Sequence, residues 1–313
     1  MARRAAFARR WLLTALAFAG VLSGFFAGRF DAAALAAGPK TSPRSGARWH
    51  IVETASFRIL SYGATPVSPQ TAEACERVRD QLTRQWLSNA PGLSDAPAEA
   101  WSPKCDLVLH ATDAAYLREV GGGGRGTVAS ALVDRQRGRI ALRRIDIRST
   151  RSDWLTSALA HELAHVVLCD RFVLEALPRW LDEGIAIQAD PHHKRQQHQR
   201  DLERAVARGL QFRVAELFAL ADYPPADRWG TFYGQSASLV AYLVAQQGHQ
   251  RFVEFVELSQ QRGYDDALRR VYRFGIGELE RRWHAELTAP SATASHRQPP
   301  NPQPESTVTS SAG

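Results

Sequence analysis

Two histidines four residues apart, His161 and His165, enclose Glu162 in a stretch, 154–169, that carries no other charged side chain. That spacing ties the segment to a helix, because side chains four apart project from nearly the same helical face. Both imidazoles can then close on one ion. Glu162, one step round, stands beside that ion and not on it, where a carboxylate can take a proton from a bound water.

A second element follows. Leu177-Pro178-Arg-Trp-Leu-Asp182-Glu183-Gly-Ile-Ala186 puts proline in the first turn of another helix and a carboxylate, Glu183, 18 residues after His165. Two imidazoles and one carboxylate leave the fourth position of a tetrahedral zinc ion open to water, as a catalytic site requires. Asp182 competes with Glu183 for this place; near a helix start its charge also suits the positive end of the helix dipole.

These two segments together resemble the gluzincin metallopeptidases, in particular the peptidase MA-like family. The similarity extends more loosely through Ser56-Phe-Arg-Ile59, Tyr233-Gly-Gln-Ser-Ala-Ser-Leu239 and Phe274-Gly-Ile-Gly-Glu-Leu-Glu-Arg-Arg-Trp283, and so covers most of residues 49–288. The resemblance implies one zinc ion held by His161, His165 and Glu183, with Glu162 as the general base of peptide-bond hydrolysis. It implies an α+β, zincin-like fold of two lobes, strand-rich in its N-terminal part and helical in its C-terminal part. Tyr233 would reach the tetrahedral intermediate, with Arg228 as the other candidate donor to the oxyanion. Gluzincins often carry an acid soon after the third ligand that orients a zinc histidine. Ile187 stands one turn beyond Glu183 in this chain, which leaves Asp182 and Asp190 as candidates for that task. The rival reading is a zincin-like domain that binds peptides or envelope partners without hydrolysing them.

Short apolar runs at 49–52, 57–62 and 106–110 predict strands, and helical spacing covers 71–87. Segments 127–133 and 139–142 flank a glycine-bearing turn at 134–138, a hairpin. Extended substrates add to exposed sheet edges, and 127–133 is the expected edge. The glycine run Gly121–Gly126 is expected to be a mobile turn at its rim; no Lys-Ser/Thr follows it, so it is no phosphate cradle. Helical patterns then fill 152–169, 178–188, 198–208, 231–247, 249–261, 265–273 and 276–288. Strands before helices is an α+β order, not an alternating one.

The ends read differently. Residues 1–10 hold four arginines and 11–27 no charge, with Ala34-Leu35-Ala36 beyond them as a small-x-small site. Residues 1–37 are therefore expected to be a signal peptide or an uncleaved signal anchor, 38–45 a linker, 46–289 the peptidase MA-like domain and 290–313 a Pro/Ser-rich tail. The body would be extracytoplasmic, periplasmic or secreted, touching membrane only through the N-terminal segment if that is retained. Of the formal charge of +7, the leader's five arginines and one aspartate supply +4 and leave +3. That balance, and a 194–204 stretch diluted by glutamine and acids without aromatic platforms, argues against nucleic acid as a partner. Peptide or protein substrates remain. His192, His193 and His198 are expected on a solvated helix start. Cys169 is expected in the core, and Cys75 and Cys105 could pair after export.

Overall fold

The computed structural model describes residues 48–63, 67–87, 99–150 and 153–288. The predicted leader and linker and the predicted tail lie outside the described residues. Strands β1 (Arg48–Glu53), β2 (Phe57–Gly63), β3 (Cys105–His110), β4 (Ala129–Gln136) and β5 (Arg139–Arg148) form one sheet in the order β1-β2-β3-β5-β4. The central three run parallel, whereas β1 and β4 pair antiparallel at the two edges. Parallel neighbours need a crossover. Helix α1 (Pro69–Leu87) supplies it between β2 and β3, and α2 (Asp113–Val120) follows β3. The expected order of strands first and helices after therefore holds only in outline, and α2 is an addition to it.

Strand periodicity explains how the sheet is covered. Cys105, Leu107 and Leu109 on β3 pair with Arg143, Ile145 and Ile147 on β5, and all are buried on one face. Helix α1 turns Ala72, Cys75, Arg79, Leu82 and Trp86, a three-four spacing, into the interior. The opposite face carries Val108, His110 and Asp146, also buried. On the edge strand, Ala129 and Ala131 face the same way as Ile147 and Ile145 and are buried; their small side chains admit a helix close beneath the edge.

That helix is α4 (Leu159–Arg171), preceded by the single turn α3 (Trp154–Ser157). The expected continuous helix at 152–169 breaks at Ala158, with φ −131°. Every residue from His161 to Cys169 is buried, so α4 is central and covered all round. It packs against α1, β4, β5 and α5 (Arg179–Gln188). Helices α6 (His192–Ala207), α7 (Val214–Ala219), α8 (Trp229–Arg262), α9 (Tyr264–Tyr272) and α10 (Ile276–Thr288) complete the domain. Periodicity does not find the six-residue α7. It does expect the break at Gly248, which sits at φ 80° between the two segments of α8. Among the described residues no helix is long and apolar enough to cross a membrane.

Two turns differ from expectation. The hairpin turn is only Arg137–Gly138, with φ of 51° and 75°, so both strands run longer than their apolar patterns. The glycine run is not an open turn: Gly122–Gly126 forms a 3₁₀ segment with Gly124 buried. A Cβ at Gly124 would stand 2.9 Å from Val120 Cγ1 and 3.0 Å from Tyr116 Cε1. The absent side chain there serves close packing.

Candidate metal centre

Helix α4 brings His161 and His165 to one face, with their ring centroids 5.0 Å apart. Helix α5 adds Glu183. One turn before it, Trp180 anchors the helix: it stacks on Phe218 at 4.4 Å and donates from Nε1 to Tyr264 Oη at 3.0 Å. Gly184 lets α5 close on α8, since a Cβ there would meet Ser236 O and Val240 Cγ2, each at 2.7 Å. One ligand atom each from His161, His165 and Glu183 lies within 4.8 Å of the others. These three and Glu162 are at most 5% exposed.

The outward atoms of the cage are held in place. Asp182 Oδ1 lies 2.8 Å from His165 Nδ1, and Asp190 Oδ2 lies 3.2 Å from His161 Nδ1. Both weaker candidates for orienting the histidines thus do so, one just before Glu183 and one beyond the end of α5. This excludes Asp182 as the third ligand in this arrangement, because its carboxylate is turned to the far nitrogen of His165. Lys194 lies 3.5 Å from Asp190 Oδ1 and donates to Ser157 O, joining α6 to the turn that precedes α4. Tyr223 donates its hydroxyl proton to Glu183 Oε1.

The inward atoms point at one another. His161 Nε2 and Glu183 Oε2 are buried, 3.7 Å apart, and neither makes a hydrogen bond. A buried imidazole nitrogen and a buried carboxylate oxygen left so would each cost free energy. A cation between them resolves both. The charges agree: burial alone would lower His161, yet Asp190, Glu183 and Glu162 hold its pKa well above the imidazole range. His165 is likewise pushed down by burial and raised overall by Asp182 and Glu183. The field that favours a positive imidazole favours a divalent cation in its place, and a two-nitrogen, one-carboxylate donor set suits zinc.

Tyr233, on α8, packs with its ring 6.3 Å from that of Tyr223 and 5.8 Å from that of His198. Burial, then Glu183, pushes the pKa of both phenols far up, and Glu162 acts on Tyr233 in the same direction. Both phenols keep their protons and remain donors. Arg228 does not join them. Its guanidinium stacks 3.6 Å from the Phe212 ring centroid and donates to Leu210 O at 2.8 Å, so the alternative of Arg228 as oxyanion donor is corrected. His192 and His193 are exposed as expected, but His198 is half-buried against Tyr233. Cys169 is buried and accepts from Arg135 Nη2 at 2.8 Å, tying α4 to the edge strand. Cys75 and Cys105 are buried and free.

Two contributors escape sequence reasoning. Tyr223 lies 40 residues from Glu183 in a Tyr-Pro-Pro turn without periodicity. Arg179 sits over the Tyr223 ring at 5.2 Å, and its place in the first turn of α5 reads as ordinary helix composition.

Residues 139–289 match the family described as Peptidase MA superfamily, and that span contains the whole cage. This match supports a peptidase MA-like assignment for the region and, at that level, a peptidase-type hydrolase on a mixed α+β scaffold. No curated protein matches the sequence.

Proposed function

We propose that this chain is an exported zinc-dependent metallopeptidase of the gluzincin type, hydrolysing peptide bonds in the cleft between a strand-rich upper lobe and a helical lower lobe. The convergence of His161, His165 and Glu183, buried and within 4.8 Å of one another, carries this reading. Held by those three residues, zinc would supply Lewis-acid polarisation of a water and of the substrate carbonyl. Glu162, adjacent to His161 on α4 and almost wholly buried, accepts the water proton and passes it to the leaving amine. Tyr233 keeps its proton under the field of Glu183 and Glu162 and donates to the developing oxyanion.

The substrate is an extended peptide or protein segment. Strand β4 ends the sheet. Arg148 N donates to Val128 O at 3.0 Å, so by alternation Ala129, Ala131 and Val133 turn their backbone groups to the free edge. A peptide adding there gains main-chain hydrogen bonds directly above α4. Export rests on the basic-then-apolar order of residues 1–37.

The test is zinc content measured beside digestion of a peptide library. About one zinc per chain, with cleavage lost by a factor of 10² or more in Glu162→Gln while zinc is retained, is the expected result. Zinc without cleavage in the native chain would favour a peptide-binding domain instead. A chain that binds no zinc, with unchanged stability in His161→Ala, would refute the metal reading.

A further inference from the structure

Each ligand of the cage has two polar atoms, and for each the atom away from the ion has a partner. Asp190 holds Nδ1 of His161, Asp182 holds Nδ1 of His165, and Tyr223 holds Oε1 of Glu183. The third partner differs from the other two, being a neutral donor on a carboxylate where they are carboxylates on imidazoles. We propose that Tyr223 is the positioning residue of the third ligand: its hydroxyl engages Oε1 and so leaves Oε2 alone to face the ion. This inference rests on the zinc reading of the site.

The setting of Tyr223 suits the task. The Arg179 guanidinium lies over its ring, 5.2 Å from the centroid, and the Phe232 ring meets it in a T-shaped contact with centroids 5.7 Å apart. Pro224 and Pro225 follow it and restrict the backbone. Glu183 Oε1 therefore meets a donor whose direction is set by packing, not by solvent. A carboxylate with one oxygen so engaged binds through the other; freed of the phenol, it can turn both oxygens to the ion. Tyr233 lies beside Tyr223, its ring 6.3 Å from that of Tyr223. The two phenols thus take separate parts, Tyr223 on the ligand and Tyr233 on the substrate.

Tyr223→Phe keeps the ring and removes only the donor. Zinc affinity, read by competition with a chromophoric chelator, is expected to fall 10- to 100-fold, the range for loss of a group that orients a metal ligand. Tyr272→Phe removes the buried phenol at the end of α9, whose ring packs on Phe255 and Phe274, and is expected to leave zinc affinity unchanged. With cobalt in place of zinc, Tyr223→Phe should weaken the visible absorption as Glu183 becomes bidentate and the coordination number rises. In a Glu183→Gln background, adding Tyr223→Phe should cost no further affinity, because the phenol acts through Glu183. Should Tyr223→Phe not fold, Tyr223→His, whose ring N–H restores a donor, is expected to bind zinc within a few-fold of the native chain. Native zinc affinity and an unaltered cobalt spectrum in Tyr223→Phe would overturn the proposal while the zinc reading stands. So would a loss from Tyr223→Phe that is equally large with and without Glu183→Gln. If the native chain binds no zinc, both fall.

Discussion

Asp182 and Glu183 are neighbours in sequence yet serve opposite sides of one histidine's ligand sphere: Asp182 Oδ1 grips His165 Nδ1 at 2.8 Å, while Glu183 joins the atoms that His161 and His165 turn inward. Consecutive helical residues diverge by about 100°, so α5 can reach behind the imidazole and in front of it at once. The pairing favours the tautomer of His165 with the proton on Nδ1 and the lone pair of Nε2 directed into the cage. Asp182→Asn keeps the shape and removes the charge. Zinc affinity is expected to drop about 10- to 100-fold by chelator competition, with the circular dichroism of the chain unchanged.

Gly184→Ala tests the seat of α5. The new methyl would stand 2.7 Å from Ser236 O and from Val240 Cγ2, and a backbone oxygen cannot step aside as a flexible side chain can. Destabilisation of about 1–3 kcal/mol in urea unfolding is expected. Zinc binding should weaken as well, because the displaced helix carries Glu183.

Asp146 makes the sheet acid-sensitive. Burial alone would raise its carboxyl, but hydrogen bonds from His110 and Arg144 hold it below its usual value. A depressed carboxylate pKa gives stability that is complete above the unfolded-state value, about 3.9, and is lost as pH falls through the folded-state value. Unfolding free energy should therefore decline below about pH 4. Asp146→Asn should flatten that decline and cost about 3 kcal/mol at pH 7, the low end for breaking a buried pair, since Arg144 keeps Glu119 at 3.3 Å.

The thiols should be inert. Cys75 and Cys169 are buried, and burial pushes each thiol up to about 12; burial holds Cys105 well above the usual thiol value too. At pH 8 the folded chain is expected to resist iodoacetamide, and the denatured chain to take up three equivalents. Rapid labelling of Cys169 in the folded chain would contradict its tether to Arg135.

How far the sequence carries depends on the range of the interaction that decides each feature. His161, Glu162 and His165 are legible because helical period alone brings them together. Glu183 is legible because Pro178 marks the start of its helix. The parallel core of the sheet is not, since β2 and β5 become parallel to β3 only through packing of α1 and the β4–β5 hairpin. Helix α2 hides because its eight residues bury only Tyr116. At the site, Asp190 is nameable by type alone; its hold on His161 depends on a turn after α5. Tyr223 and the true place of Arg228 depend on folding of the chain between α7 and α8, where no local pattern speaks.

Both imidazoles come from one stretch of five residues, and Asp182, Glu183 and Asp190 from another of nine. The cage is therefore a two-piece clamp, not a mosaic gathered from scattered loops. Its aperture is governed by a single coordinate, the spacing between α4 and α5, and the backstop for that coordinate is the bare backbone at Gly184 against α8. Such a clamp assembles or fails as a unit, so any ligand that spreads the two helices would part Glu183 from both imidazoles at once and draw Asp182 and Asp190 off them as well.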